Sequence, residues 1–254
     1  MAPFLQEVFR MSDLFSLFRR KQPKPIWSVV VVAAGTASRM QGIDKILAPL
    51  GDRPILARTL EVFQRCEAVS EVIVVTREDL VVDISHMCKE FDLGKVAKVV
   101  VGGSERMLSV RAGLRQVRPD AQLIAIHDGA RPFLTQSVLN RVLEQAARSG
   151  AAAPAIPLND TIKRAVDGVV EETVDRSVLW SVQTPQVFQA DLIRAAVEQA
   201  AENGVQVTDD CSVVEQLGMK VVLTPGDREN IKVTTPFDLI LGQAILDLRQ
   251  EEGR

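Results

Sequence analysis

The stretch Val29 to Lys45 reads V-V-V-V-A-A-G-T-A-S-R-M-Q-G-I-D-K and decides the fold. It begins as a valine run, a composition typical of a strand buried on both faces of a parallel sheet. The run ends in two alanines and a glycine, followed by a polar loop that carries Arg39 and Lys45. Because small residues let backbone amides approach a ligand and two cations can face its charge, the loop suits a polyphosphate. An ordinary strand-to-helix turn with solvated basic residues stays open from this stretch alone.

Short apolar runs alternate with amphipathic segments from Ile26 onward. Six runs are predicted to be strands: Val29–Ala33, Glu71–Thr76, Val96–Val101, Leu123–His127, Ala152–Ile156 and Lys220–Leu223. Five segments are predicted to be helices: Pro54–Cys66, Asp79–Phe91, Glu105–Val117, Thr135–Ser149 and Asp191–Asn203. The alternation predicts an α/β fold, a doubly wound and mainly parallel twisted sheet with helices on both faces. Ligands of such sheets bind beyond the carboxyl ends of the strands.

The composition argues against several classes of protein. With 46% hydrophobic and 25% charged residues, the 254-residue chain is typical of a soluble globular protein. A formal net charge of −3 argues against a nucleic-acid binder, and no apolar run approaches the ~20 residues that span a bilayer. The three cysteines, Cys66, Cys88 and Cys211, form no C-x-x-C pattern. This indicates a reducing compartment, and we expect a cytoplasmic protein.

Residues 1–25 differ from the rest of the chain. Phenylalanines and aliphatic residues are mixed there with basic ones, without the clean apolar core of a signal peptide. The segment is an amphipathic helix that contacts a membrane or partner, a flexible extension, or an over-long start with Met11 as the first residue. We predict a flexible extension, followed by a single domain over residues 26–254.

One segment breaks the alternation of strands and helices. Thr161–Val166 and Val169–Val174 are β-prone runs joined by Asp167-Gly168, a pair that favours a hairpin turn because both positions need positive φ. The hairpin contains few large apolar residues, and an isolated hairpin is marginally stable in water. We therefore expect an arm over about residues 157–180 that packs on a second copy of the chain, giving a homodimer. The alternative is a solvated arm or lid.

Polar residues follow two of the predicted strands. The sequence Gly102-Gly103-Ser104-Glu105-Arg106 leads into a helix that carries Ser109, and exposed amides at a helix start can bind a base or an anion. Asp128 and Arg131 follow the next strand; the aspartate suits a hydroxyl or a metal ion, and the arginine suits a phosphate or hydroxyl. The alternative for this pair is a helix cap and a surface arginine. His127 has no second His or Cys nearby and is predicted to be structural.

Three motifs are absent, and this narrows the chemistry. The sequence contains no Gly-x-x-x-x-Gly-Lys-Ser/Thr, no Gly-x-Ser-x-Gly and no Asp-x-Asp. These absences argue against a Walker-type nucleotide hydrolase, a serine-elbow hydrolase and a metal-dependent glycosyltransferase. We expect positional and electrostatic catalysis, in which cations hold two phosphate-bearing substrates so that one attacks the other.

An ordered set of motifs resembles the 2-C-methyl-D-erythritol 4-phosphate cytidylyltransferase family. The resemblance covers about Ser28 to Ile245 and rests on residues 33–40 with Lys45, 102–106 with Ser109, 127–132, 160–164, 175–176, 183–186, 208–209 and 230–234. Single motifs of this kind are common, whereas the whole set in this order is specific. The resemblance implies a Rossmann-like nucleotidyltransferase fold with a protruding β-hairpin arm.

The resemblance also implies a reaction between CTP and a polyol phosphate. The phosphate of methylerythritol 4-phosphate attacks the α-phosphorus of CTP in line, and pyrophosphate leaves with a magnesium ion on the triphosphate. By resemblance, Arg39 and Lys45 are catalytic cations that stabilise the transition-state charge. The resemblance assigns Arg176, Lys232, Asp128, Arg131, Thr161 and Thr208 to the acceptor, and Ala33, Ala34, Gly35, Gly103, Ser104 and Ser109 to the nucleotide. In the family the arm joins two subunits, and Arg176 and Thr161 serve the neighbour's site.

The chain departs from the family pattern in one loop. A second Gly is usual where Ala37 stands, a Pro is usual where Asp44 stands, and the loop from Arg39 to Lys45 is one residue shorter than common. The acidic Asp44 beside a cation meant for phosphate is the least expected change. Three alternatives stay open. They are a ribitol 5-phosphate cytidylyltransferase, disfavoured by the arm sequence, a non-catalytic nucleotide-binding paralogue, disfavoured by the retained cations, and a sugar-1-phosphate nucleotidyltransferase, which leaves the arm unexplained.

Overall fold

The structure is a computed structural model that describes residues 26–35, 44–205 and 207–251. The predictions made for residues 1–25, for Ala37 and for Arg39 lie outside these ranges. Within them, an eight-stranded sheet carries helices on both faces, and a two-stranded hairpin projects from it.

The main sheet contains β1 (Trp27–Ala33), β4 (Val69–Thr76), β5 (Val96–Val101), β6 (Leu123–Asp128), β7 (Ala151–Pro157), β10 (Trp180–Val182), β11 (Gln186–Gln189) and β12 (Val222–Pro225). Its order is β10-β7-β11-β6-β1-β4-β5, with β12 paired to β7. Two short strands, β2 (Pro49–Leu50) and β3 (Arg53–Pro54), form a separate ribbon. The hairpin consists of β8 (Ile162–Val166) and β9 (Val169–Val174).

Strands β5, β4, β1 and β6 run parallel, and β12 runs parallel to β7. Strand β11 lies antiparallel between β6 and β7, and β10 is antiparallel to β7. The predicted mainly parallel, doubly wound sheet is therefore confirmed. The last predicted strand is displaced: Lys220–Leu223 was expected, and the strand occupies Val222–Pro225.

The core explains the valine run of β1. Val29 and Val31 pack on one face with helices α1 (Ile55–Arg65), α2 (Val81–Glu90) and α4 (Gln136–Ser149). Val30 packs on the other face with α3 (Arg106–Leu114), α5 (Ala190–Glu202) and α6 (Asp210–Glu215). All three valines are fully buried, so the run is apolar throughout because both faces of the strand are covered.

Six elements escaped the sequence analysis: strands β2, β3, β10 and β11 and helices α6 and α7. Strands β2, β3 and β10 have only two or three residues each. Strand β11 has only four residues, with a glutamine at each end. Helix α6 has six residues. Helix α7 (Pro236–Glu251) buries only Gly242 and Ile245 and exposes several apolar side chains, so its pattern has no clean helical period.

Two helix caps and the predicted hairpin turn are present. Gly150 ends α4 in the left-handed region, with φ of 83°, and Asp209 caps α6 in a capping box with Ser212. In the hairpin turn, Asp167 and Gly168 have φ of 51° and 79°. Both turn positions thus have the positive φ that the Asp-Gly pair predicted.

Candidate active site

A cleft of about 420 Å³ opens at the carboxyl ends of β1, β4, β5 and β6. Its wall is built from the segments that follow these four parallel strands, together with the turn at Lys45 and the loop at Lys232. Nine of the residues predicted from the sequence line it: Ala33, Ala34, Gly35, Lys45, Gly103, Ser104, Ser109, Asp128 and Lys232.

Asp128, the last residue of β6, lies at the centre of a cluster of cations. Its Oδ2 is 3.1 Å from Lys232 Nζ and 3.3 Å from Arg131 Nε, and its Oδ1 is 3.8 Å from an Arg106 guanidinium nitrogen. Burial favours the neutral acid, but Lys232, then Arg106 and Arg131, outweigh it and lower the pKa of Asp128 to about 2. The carboxylate therefore stays ionised and can only accept hydrogen bonds.

Lys232 is positioned by its loop rather than by a helix or strand. Val233 N donates to Ala130 O at 2.8 Å, and Arg131 Nη1 donates to Asn230 O at 2.7 Å. The fully buried Asn230 donates in turn to Thr184 O at 3.0 Å. Residues on both sides of Lys232 are thus tied to the segment after β6, which holds the lysine over Asp128.

His127 supports the end of β6 from inside the core. It is fully buried, and its ring meets Phe63 edge-on with centroids 5.2 Å apart. Thr184 Oγ1 lies 2.9 Å from Nδ1 and accepts a hydrogen bond from Asp128 N, while Nε2 faces Arg131 O at 3.3 Å. Burial lowers the pKa of His127 to about 4, so the ring is neutral at pH 7. The structure therefore agrees with a structural role.

The loop after β5 is held tightly by Ser109. The serine is buried, and its hydroxyl accepts from Gly103 N at 3.1 Å and faces the carbonyls of Gly103 and Glu105. A Cβ on Gly102 would lie 2.7 Å from both Ala34 Cβ and Ser109 Oγ. Ser109 thus shapes the predicted nucleotide loop from within, and glycine is needed at 102 because Ala34, the residue after β1, and Ser109 lie so close.

Arg106 brings a cation into the cleft that sequence reasoning did not single out. It forms a two-pronged pair with the buried Asp210, at 2.9 and 2.7 Å. Gln186 Oε1 accepts from the backbone amides of Asp210 and Cys211 and so fixes the start of α6. Burial alone would lower the pKa of Arg106, but the charge of Asp210 and its hydrogen bonds raise it. Arg106 stays charged.

The unexpected Asp44 pairs with Arg77 rather than with Lys45. Arg77 Nη1 lies 2.6 Å from Asp44 Oδ2, and Asp44 Oδ1 accepts from Ile46 N at 3.1 Å, capping a 3-10 turn over Lys45–Leu47. Burial, then the charge of Lys232, lowers the pKa of Lys45 below its ordinary value, although nearby aspartates raise it. The carboxylate of Asp44 is thus bonded to Arg77 and to the start of the turn that carries Lys45.

Four of the predicted residues that the structure describes do not line this cleft. Arg131 reaches it only through its pair with Asp128, and the other three lie farther away. Thr161 and Arg176 are exposed at the base of the hairpin, where Arg176 donates to Asn159 O. Thr208 is exposed just before the cap of α6. In the hairpin itself only Ile162 and Val174 are partly buried. Within one described subunit, the arm residues thus lie apart from the cations around Asp128.

Two of the cleft residues had a signal in the sequence that was overlooked. Arg77 directly follows β4, as Asp128 ends β6. Because ligands bind at the carboxyl ends of parallel strands, the position of Arg77 predicts that it lies in the cleft. Arg106 begins the helix after the glycine loop. Asp210 directly follows the cap residue Asp209, and its pairing with the distant Arg106 has no local signal in the sequence.

Cys66, Cys88 and Cys211 are all free and buried. Among the described residues, no group of three His, Cys, Asp or Glu side chains is arranged to hold a metal ion. No helix in the same ranges is long and apolar enough to cross a bilayer.

Comparison with known proteins gives consistent matches. The family model of 2-C-methyl-D-erythritol 4-phosphate cytidylyltransferase matches residues 27–248. The protein of that name from Halalkalibacterium halodurans is 42% identical over 221 residues, covering 87% of this chain and 96% of its own. The one from Geobacillus kaustophilus is 41% identical over 227 residues, covering 89% and 99%.

A solved structure has the same architecture. It is the 4-diphosphocytidyl-2C-methyl-D-erythritol synthase from Anaerococcus prevotii, with a TM-score of 0.79 and 30% identity. The match covers 88% of this chain and 97% of that one. The nucleotidyltransferase fold and the family resemblance expected from the sequence are both confirmed.

Proposed function

This chain belongs to the 2-C-methyl-D-erythritol 4-phosphate cytidylyltransferase family, and we propose that it transfers the cytidylyl group of CTP to 2-C-methyl-D-erythritol 4-phosphate. An oxygen of the acceptor phosphate bonds to the α-phosphorus of CTP, the bond from that phosphorus to the βγ-diphosphate oxygen breaks, and pyrophosphate leaves. The product is 4-diphosphocytidyl-2-C-methyl-D-erythritol. The observation that carries the proposal is the grouping of Lys45 and Lys232 near Asp128 at the strand ends.

The cations divide between the two substrates. Lys45 and Arg39 stabilise the charge that develops on the α-phosphate, since cations aimed at developing charge lower the barrier most directly. Lys232 holds the acceptor phosphate, supported by its fixed position 3.1 Å from Asp128. Arg39→Ala should lower kcat by orders of magnitude while CTP affinity changes less.

The other residues of the site also divide between the acceptor and the nucleotide. Asp128 accepts hydrogen bonds from hydroxyls of the acceptor, consistent with its pKa of about 2, and Arg131 orients it from 3.3 Å. Ala33, Ala34, Gly35, Gly103 and Ser104 line the nucleotide side of the cleft, where backbone amides approach closely beside small side chains. Ser109 positions that loop through Gly103 N.

Magnesium belongs to the substrate in this proposal. It enters as the complex with the CTP triphosphate, whose oxygens are the hard ligands that Mg²⁺ prefers. Asp128 is a poor candidate ligand because its carboxylate already accepts from Lys232 and Arg131. The protein's own cations act on the same phosphates.

The functional unit is a homodimer in the cytoplasm. The hairpin exposes Val166, Val169 and Val170 by 55–70%, which is costly in water for strands that pack on little else. An arm laid on a second subunit would cover them, and Arg176 and Thr161 at its base would then serve the partner's cleft, together with Thr208 on the acceptor side. The three buried free thiols suit a reducing compartment.

The test is release of pyrophosphate with Mg²⁺, CTP and either methylerythritol 4-phosphate or ribitol 5-phosphate. We expect release with the first acceptor and at least about a hundredfold lower kcat/KM with the second, because the site binds specific hydroxyls. A preference for ribitol 5-phosphate would replace the proposed substrate with its nearest alternative. No release with either would contradict the proposed activity.

A further inference from the structure

Arg77 joins the two ends of the loop that carries the catalytic cations. Its Nη1 donates to Gly35 O at 3.3 Å and to Asp44 Oδ2 at 2.6 Å. Gly35 and Asp44 are the residues described on either side of residues 36–43, and Lys45 follows Asp44 directly. A single guanidinium group thus fixes the distance between the end of β1 and the turn at Lys45.

The ion pair of Arg77 and Asp44 is partly buried and supported by further hydrogen bonds. Their side chains are 24% and 10% exposed, so the pair is partly shielded from water and salt. Asp44 also accepts from Ile46 N, and Arg77 makes further bonds to Asp79. The charge of Arg77 is thus paired with the carboxylates of Asp44 and Asp79, although the arginine also lines the cleft.

The backbone at Asp44 has the conformation of a proline. Its φ is −61° and its ψ is 135°, and a proline ring holds φ near about −65°. A proline would restrict this residue through its ring alone. An aspartate is free to rotate, and here its cap bond to Ile46 N and its pair with Arg77 supply the restriction from the side chain.

We propose that Arg77 is a positioning residue for the proposed cytidylyl transfer, holding Asp44 in a proline-like conformation and thereby fixing Lys45 at the cleft. The inference rests on the proposed function only for its kinetic readout. It also gives a role to the acidic residue beside Lys45: the carboxylate of Asp44 pairs directly with Arg77 and not with the catalytic lysine.

The test is a double-mutant cycle between Arg77→Gln and Asp44→Pro. Arg77→Gln should lower kcat/KM for CTP roughly tenfold, with a melting temperature within about 3 °C of wild type. In the Asp44→Pro background the same Arg77→Gln change should lower kcat/KM for CTP less than about threefold, since the proline ring then restricts the backbone. The kcat/KM of Arg77→Lys should lie between those of wild type and Arg77→Gln, because a lysine keeps the charge but its ammonium group lacks the planar fork that spans both acceptors.

Arg118→Gln is the matched control, since it breaks an exposed pair with Asp120 and should leave kcat/KM unchanged. Unchanged activity in Arg77→Gln would overturn the proposal. So would an equal loss in both backgrounds, the result expected if Arg77 instead bound the triphosphate. The same double-mutant cycle can be measured by calorimetry as the affinity of each variant for Mg-CTP, which requires no turnover. An inactive wild type would then contradict the proposed function, while the binding data would still test this inference.

Discussion

Lys232 Nζ lies 3.1 Å from Asp128 Oδ2, although Asp128 ends strand β6 and Lys232 lies in the loop before α7. The contact is made because Val233 and Asn230, on either side of the lysine, are bonded to the segment after β6. The carboxylate holds Lys232 and Arg131 together in a small volume. Without it, these cations would repel one another, so the strand end organises this part of the cleft.

Asp128→Asn should therefore lower kcat/KM for the acceptor by about a hundredfold or more, because the neutral amide no longer holds two cations. Steady-state kinetics with each substrate varied in turn measure this, and the KM for CTP should change less. Asp120→Asn is the control, since Asp120 pairs with Arg118 on the surface. Retention of most of the acceptor kcat/KM by Asp128→Asn would count against this role.

Lys45 should titrate below the ordinary lysine pKa of 10.5 in the free protein, because burial and then the charge of Lys232 disfavour its protonated form. The pH dependence of its acetylation rate, followed by mass spectrometry, measures this value. Since a cation is needed at Lys45, kcat/KM should fall on the alkaline side as the lysine loses its proton.

Lys232→Met should raise the pKa of Lys45 toward 10.5, since one positive charge is removed while Asp44, Asp128 and Asp238 remain. Lys89→Met is the control, since Lys89 lies on α2 outside the cleft, and it should leave the pKa of Lys45 unchanged. A Lys45 titration unaffected by Lys232→Met would show that the two ammonium groups do not interact.

Gly102→Ala should raise the KM for CTP about tenfold or more, because the added Cβ would lie 2.7 Å from Ala34 Cβ and Ser109 Oγ and would push the nucleotide loop away from β1. Gly94→Ala is a matched control, since nothing lies within 4 Å of its added Cβ. The contradicting result is a KM for CTP that is equally unaffected in both variants.

Mixing Arg176→Glu protein with Lys45→Ala protein should restore activity if the arm serves the partner's cleft. At random exchange half of the dimers are mixed, and each has one intact site of two, so about a quarter of wild-type activity is expected. Mixing Lys45→Ala with Lys232→Ala should restore none, because both lysines line one subunit's cleft. Failure of the first mixture to regain activity, with exchange verified by sedimentation, would exclude shared sites.

Much of the fold was predictable because the signals are local. Valine runs predicted the parallel strands, and the Asp167-Gly168 pair predicted the hairpin turn. Small and polar residues after those runs, together with the family resemblance, predicted nine of the cleft residues, since the carboxyl ends of parallel strands meet at one edge. The short antiparallel β11 and the weakly amphipathic α7 carry no such signal.

The rest of the cleft depends on contacts between distant segments. The pair of Arg77 with Asp44 and the pair of Arg106 with Asp210 each join residues that are far apart in the chain, and such pairs leave no periodic trace in a sequence. The apparent conflict at Asp44 was therefore resolved only by finding its partner. The role of the arm stays a prediction, because it depends on a second copy of the chain.

The most direct test of the central claim follows the oxygen atoms of the acceptor phosphate. Methylerythritol 4-phosphate labelled with ¹⁸O in its phosphate is incubated with Mg²⁺, CTP and the protein, and the phosphorus NMR spectrum is recorded. The account predicts two coupled diphosphate signals in which label lies between the two phosphorus atoms, and unlabelled pyrophosphate. Label in the pyrophosphate, or loss of CTP without a coupled diphosphate product, would contradict attack by the acceptor phosphate on the α-phosphorus.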